Sequence, residues 1–141
     1  MKYYKIRKSS KLPFQRQKIS TGTKWETQVG YSRAVRVGNV IEVSGTTALN
    51  GKNKVVGEGD AYEQTRFILR KIEKAIHQAD GKISDVVRTR IFVTNIMDWE
   101  EIAKAHSEFF KDVRPATTLV EVSRLVDPAM LVEIEATVII Q

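Results

Sequence analysis

Two segments whose apolar residues return every three or four positions, Ala61 to Ala79 and Ile102 to Phe110, alternate along the chain with segments whose apolar residues return every second position. That switching of periods restricts the fold to helices laid across a sheet. In the first helical segment Ala61, Thr65, Ile68, Leu69, Ile72, Ala75, Ile76 and Ala79 form one stripe, Asp60 with Glu63 makes a capping box, and Gly81 supplies the stop. In the second, Asp98 with Glu101 starts a helix on which Ile102, Ala105 and Phe109 share a face, with Trp99 and Phe110 beside it. Strands are expected at Ala34 to Val37 and Val40 to Ser44, joined by a Gly38-Asn39 turn, with a further turn at Asn50-Gly51 before Val55-Val56. Val86 to Val93 reads as a strand with Arg88 and Arg90 on one face and Val87, Thr89, Ile91 and Val93 on the other. Thr118 to Val122 and Leu131 to Ile140 place Glu121, Glu133 and Glu135 opposite Val120, Val122, Ile134 and Val138.

The order strands, helix, strand, helix, strands implies a two-layer α+β domain, a mixed β-sheet with two helices on one face. The other face is left bare. Long apolar strands such as Leu131 to Ile140 then expose more apolar surface than a soluble monomer normally tolerates, and self-association is the natural remedy.

At 141 residues the chain is long enough to bury one continuous core. It has no cysteine, which excludes disulfides, thiolate metal sites and cysteine nucleophiles, and two histidines, His77 and His106, make a histidine-rich metal site improbable. No metal and no cofactor is expected. No apolar run reaches membrane-spanning length and no secretory leader is recognisable, so a cytoplasmic location and no membrane association are expected.

The net charge of +6 is unevenly placed. Lys2, Lys5, Arg7, Lys8, Lys11, Arg16, Lys18 and Lys24 are eight of the 23 cations, and no acid precedes Glu26, so the remainder holds 15 cations against 17 acids. Basicity belongs to an N-terminal arm, taken as residues 1–17, ahead of a single domain over 18–141. With Tyr3, Tyr4 and Phe14 interleaved, such an arm suits either nucleic-acid bases and phosphates or packing on a neighbouring subunit, and a simply solvated leader has the same composition.

The run Pro115-Ala116-Thr117, Val120-Glu121-Val122, Arg124-Leu125 and Val132-Glu133-Ile134-Glu135-Ala136 resembles the signature of the Rid (YjgF-type, endoribonuclease L-PSP, reactive intermediate deaminase) family. Gly30-Tyr31-Ser32, Val37-Gly38-Asn39-Val40 and Val43-Ser44-Gly45 resemble its upstream landmarks, so the likeness runs from about Ile19 to Ile140. The resemblance implies a chorismate-mutase-like fold, a homotrimer with inter-subunit clefts, and a site that hydrolyses imines or enamines. On that likeness Glu133 corresponds to the water-positioning glutamate, Tyr31 to the tyrosine at the cleft edge, and Ser44 to a serine near the ligand. The substrate-clamping arginine of the family is replaced by Thr117, with Leu119 where a cysteine is common and Ala103 near an expected asparagine.

A threonine hydroxyl offers one neutral hydrogen bond where an arginine fork offers two charge-assisted ones. Arg33, two residues from Tyr31 and so on its face, is the first candidate for a relocated anchor, with Arg114 and Arg124 as alternatives; surface or inter-subunit ion pairing accounts for all three equally. Glu121, Glu133 and Glu135 also fit the wet face of a sheet, and His77 and His106 read as ordinary helix residues. The leading expectation is an imine or enamine deaminase acting through a water held by Glu133, with Tyr31, Arg33, Ser44, Thr117 and Leu119 about a small imine, enamine or carbonyl ligand. A non-catalytic metabolite-binding trimer is the alternative, and RNA binding or cleavage through the basic arm is a third.

Overall fold

The computed structural model describes residues 15–141, so most of the basic arm, Tyr3, Tyr4 and Phe14 included, lies outside the described residues. The elements in chain order are β1 (Gln17–Ile19), α1 (Lys24–Val29), β2 (Ala34–Val37), β3 (Val40–Thr46), α2 (Ala61–Gln78), β4 (Val86–Val93), α3 (Trp99–Phe110), β5 (Ala116–Glu121) and β6 (Val132–Ile139). One six-stranded sheet runs β1-β2-β3-β6-β4-β5. Its neighbours are antiparallel except β4 and β5, which are parallel and joined through α3, so the sheet is mixed as expected.

On β6 Val132, Ile134, Ala136 and Val138 are buried, whereas Glu133, Glu135, Thr137 and Ile139 are only partly so. The buried set joins Ile41, Val43, Ile91 and Val93 from neighbouring strands in one core with Ile68, Leu69, Ile72 and Ile76 of α2 and Ile102 and Phe110 of α3. One sheet face is thus covered by the two long helices, and Glu133 and Glu135 stand on the other. None of the helices among the described residues is long and apolar enough to cross a membrane.

Local detail departs from the sequence pattern at four places. Val87 does not share the face of Thr89 and Ile91: the pairing with β6 slips between Val86 and Arg88, so Val86 is buried and Val87 turns outward. At the end of α2 the left-handed residue is Asp80, φ 62°, not Gly81. Gly81 instead donates to Ile76 O at 2.9 Å in a Schellman closure, and an added Cβ would lie 2.8 Å from Ile41 Cδ1, so it is the close packing that demands glycine. The first capping box is half made: Asp60 Oδ1 accepts from Glu63 N at 3.0 Å, but the Asp60 N–H goes to Gly57 O. The second is absent, because a 3-10 turn over Ile96–Asp98 leads into α3 and Asn95 caps that turn through Met97 N.

The six-residue α1 and three-residue β1 are too short for a period to reveal. Their position is fixed by Glu26, which gathers Thr21 Oγ1 at 2.5 Å, Thr23 Oγ1 at 3.0 Å and Thr21 N at 3.2 Å. On the far side, fully buried Gln64 of α2 holds the loop before β6: its Nε2 donates to Ala129 O at 2.8 Å and Gly57 O at 3.2 Å, and its Oε1 accepts from Leu131 N at 2.9 Å. Replacing Gln64 by Leu leaves Ala129 O and Leu131 N without their partner, while Gly57 O keeps the Asp60 N–H, and the expected cost is about 2–4 kcal/mol of unfolding free energy in denaturant titrations.

Candidate functional site

Arg33 immediately precedes β2 and is buried, yet its charge meets no carboxylate within ion-pair distance among the described residues. Nη1 donates to Gly45 O at 2.8 Å and Thr46 Oγ1 at 2.7 Å, and Nη2 donates to Tyr31 OH at 3.1 Å, with the guanidinium carbon 5.5 Å from the Tyr31 ring centre. Tyr31 follows Gly30, whose φ of 84° closes α1 in the left-handed region. Tyr31 and Arg33 therefore do share a face.

The acceptors of Arg33 sit on an irregular stretch of β3. Val43 faces Ala136 and Thr46 faces Ile134, so β3 spends three steps where β6 spends two, and the extra residue is absorbed at Ser44-Gly45. The Glu133 carboxylate lies over Gly45 so closely that an added Cβ would overlap Glu133 Oε1. A Cβ there would meet only the far end of the flexible Glu133 side chain, so glycine gives the carboxylate its seat without being demanded by φ. The Ser44 hydroxyl does not face this space; it donates to Ser32 O at 2.6 Å and so fastens β3 to the segment before β2.

Tyr31, Arg33, Gly45 and Glu133 line a cavity of about 220 Å³ together with Trp25 and Val29 of α1, Thr47 and Leu49 after β3, Lys71 of α2, and Val126 and Met130 of the loop that Gln64 holds. Burial pushes the Glu133 carboxyl above its ordinary 4.5, the nearby Arg33 charge pulls it back only in part, and Glu135 adds to the rise. Glu135 itself is 3.7 Å from Arg90, and Glu121 accepts from Ile96 N at 3.0 Å, so these two carboxylates serve the structure. Lys71 Nζ donates to Leu49 O at 2.8 Å and Thr47 O at 3.1 Å, and burial, with Arg33 nearby, lowers it to about 8.

Residues 21–140 match the family described as Endoribonuclease L-PSP. The chain belongs to that family. It is 45% identical to a crystal structure of a YjgF/YER057c/UK114 family member from Mycobacterium tuberculosis, with a TM-score of 0.83 over 89% of this chain and 100% of that one. The 3-aminoacrylate deaminase RutC of Acinetobacter baylyi is 38% identical over 104 residues, 74% of this chain and 82% of its own. A 2-iminobutanoate/2-iminopropanoate deaminase of Dermatophagoides farinae is 32% identical over 111 residues, 79% of this chain and 86% of its own. The Rid resemblance of the sequence thus holds at family level, and deaminases stand among the relatives.

In this L-PSP family member the expected site residues do not all meet within one protomer. Thr117 and Leu119 of β5 line a separate groove with Ala103, His106 and Ser107 of α3 and with Lys111, Arg114 and Pro115 beyond it. There Thr117 Oγ1 is 2.8 Å from Thr89 Oγ1, which is 2.9 Å from His106 Nε2, and burial lowers the His106 pKa. Arg114 points part of its donor set at Lys111 O, 3.3 Å away, and Arg124 lies exposed. Among the described residues no three His, Cys, Asp or Glu side chains gather as a metal site.

Lys71, Trp25 and Gln64 escaped the sequence analysis. A signal existed for two of them: Gln64, Ile68, Lys71 and Ala75 follow one helical face, so a glutamine and a lysine stand seven residues apart along an apolar stripe. The cavity makes two predictions. Gly45→Ala displaces the flexible Glu133 carboxylate from its seat and is expected to change the unfolding free energy by less than about 1 kcal/mol in denaturant titrations. Glu26 responds to acid. Burial pushes its carboxyl up, but the hydroxyls of Thr21, Ser20 and Thr23 and the Thr21 N–H outweigh that and hold it at about 2 against an ordinary 4.5. A carboxyl lowered in the folded state contributes stability above its unfolded pKa and loses it as pH falls through the folded one. Glu26→Gln is therefore expected to melt below wild type at neutral pH, with the gap closing between pH 4.5 and about 2 in thermal melts.

Proposed function

We propose that the protein is an imine or enamine hydrolase, releasing ammonia from a small substrate through a water positioned by Glu133. The observation that carries this is the half-buried Glu133 carboxylate over Gly45, facing an apolar-walled cavity with no ion pair of its own. Hydrolysis of a C=N bond needs a base that takes a proton from water as oxygen bonds to carbon, after which the nitrogen leaves as ammonia and the carbonyl remains. Burial makes Glu133 a stronger base than an exposed carboxylate, and Tyr31 OH offers a polar group at the same wall. The two deaminases among the relatives support the reaction class, and their named substrates, 3-aminoacrylate and 2-iminobutanoate, are the compounds to test.

The proposal includes a homotrimer. Val87 and Val120 are exposed large apolar residues on strands of the sheet, and a neighbouring protomer seated there brings its own groove with Thr117 and Leu119 toward the Glu133 cavity. Sedimentation is expected to give three times the 16.0 kDa protomer mass. Ammonia release from freshly generated 2-iminobutanoate and 3-aminoacrylate is expected to fall by about 10²–10⁴-fold in Glu133→Gln, the usual worth of a general base. Equal rates in the two proteins would remove Glu133 from the reaction. Because the ionised form does the work and its pKa is raised, the acid limb of the kcat profile is expected above 4.5.

A further inference from the structure

Arg33 and Lys71 bring two cations to one cavity, and among the described residues neither lies within ion-pair distance of a carboxylate. Residues 1–14 contain no Asp or Glu, so they cannot supply one. Buried charges are ordinarily paired, and an unpaired one is retained only against a desolvation cost. Glu133 shares the cavity, but its own burial disfavours the charge that would balance them, and the Glu26 charge supports Lys71 only against the larger opposing effects of burial and Arg33.

The donors of both cations are only partly used. Two of the three Lys71 N–H groups are fixed by Thr47 O and Leu49 O, which orients the third. On Arg33, Nη1 is filled by Gly45 O and Thr46 Oγ1 and one Nη2–H goes to Tyr31, leaving the Nε–H and one Nη2–H without a partner among the described residues. Beyond the charged groups the wall combines an apolar side, Trp25, Val29, Leu49 and Met130, with neutral polar residues such as Thr47 and Asn50. That combination suits a short carbon chain ending in one planar, singly charged head. A cavity of about 220 Å³ admits few heavy atoms besides it.

We propose that Arg33 and Lys71 together anchor the carboxylate of the small ligand in this cavity, taking the part that a cation at position 117 plays elsewhere in the family. The inference rests on the reading that this cavity is the substrate site, and it deepens that reading: the substrate is a short-chain carboxylate imine or enamine whose acid group lies at the Lys71 end. The anchor is built into the same protomer as Glu133, which frees Thr117 from that duty.

The test is a titration that needs no turnover. Trp25 lines the cavity and Trp99 is an exposed residue of α3, so their indole N–H resonances report the site and a control in one spectrum of the full chain. With 2-oxobutanoate as probe, the Trp25 signal is expected to shift saturably while Trp99 does not, and 2-oxobutanamide and inorganic phosphate are expected to bind at least about tenfold more weakly. Lys71→Met is expected to weaken 2-oxobutanoate by about tenfold or more, the worth of one charge-assisted hydrogen bond, and Lys71→Arg to stay within about threefold of wild type. Lys71 is the discriminating position because Arg33 also supports β3. Equal titration by acid and amide, tighter binding of phosphate, an unchanged Lys71→Met, or no saturable Trp25 shift would overturn the anchor. Ammonia release unaffected by Glu133→Gln, with the titration behaving as expected, would remove the hydrolase mechanism and leave the anchor standing.

Discussion

A guanidinium that lies inside the protein, hydrogen-bonded to backbone and hydroxyl oxygens and, among the described residues, within ion-pair distance of no carboxylate, sets the geometry of everything around it. Arg33 reaches from the start of β2 to Gly45 O and Thr46 Oγ1, across the irregular stretch where β3 takes an extra residue against β6. Thr46 passes a hydrogen bond on to Ser44 O at 2.8 Å, and Ser44 returns one to Ser32 O, so the stretch is closed on both sides by short polar links. On that stretch Gly45, with no Cβ, leaves room for the Glu133 carboxylate to settle. Position and electrostatics are thereby one problem: the cation that shapes the strand also faces the acid that the strand makes room for.

Much of this architecture is legible in the sequence, because long elements announce themselves by period. The stripe from Ala61 to Ala79 became α2, the Gly38-Asn39 pair became the β2–β3 turn, and the alternation from Leu131 to Ile140 became β6 with Glu133 on the helix-free side. What escaped is what period cannot carry. Val87 changed face because one slipped pair with β6 reverses the alternation at a single point. The α1 turn is held by hydroxyls of Thr21 and Thr23 converging on Glu26, a tertiary arrangement of residues that individually look like loop.

The site was legible unevenly for the same reason. Tyr31 and Arg33 share a face because a spacing of two in extended chain requires it, and Glu133 faces the cavity because its strand alternates. Ser44 corresponds to a family landmark, but its hydroxyl is consumed by Ser32 O, so its contribution to the cavity is the backbone course it imposes. Lys71 was hidden in plain view on α2: a lysine on a helix is ordinarily a solvated end, and only the return of the chain through Thr47 and Leu49 folds two carbonyls over it.

The separation of Thr117 and Leu119 from Glu133 within one protomer bears on how such a site can diversify. Here Thr117 is tied through Thr89 to His106 in a groove that also holds Lys111 and Arg114, while Arg33 and Lys71 bring positive charge to the cavity. Cations placed at Arg33 and Lys71 leave β5 untouched, whose edge pairing with β4 runs unbroken from Ala116 to Glu121. Burial raises the Glu133 carboxyl, and the Arg33 cation beside it offsets that rise only in part. An anion held among these cations would cancel their pull on the carboxyl and so raise Glu133 further, which couples the charge of any occupant to the basicity of that side chain.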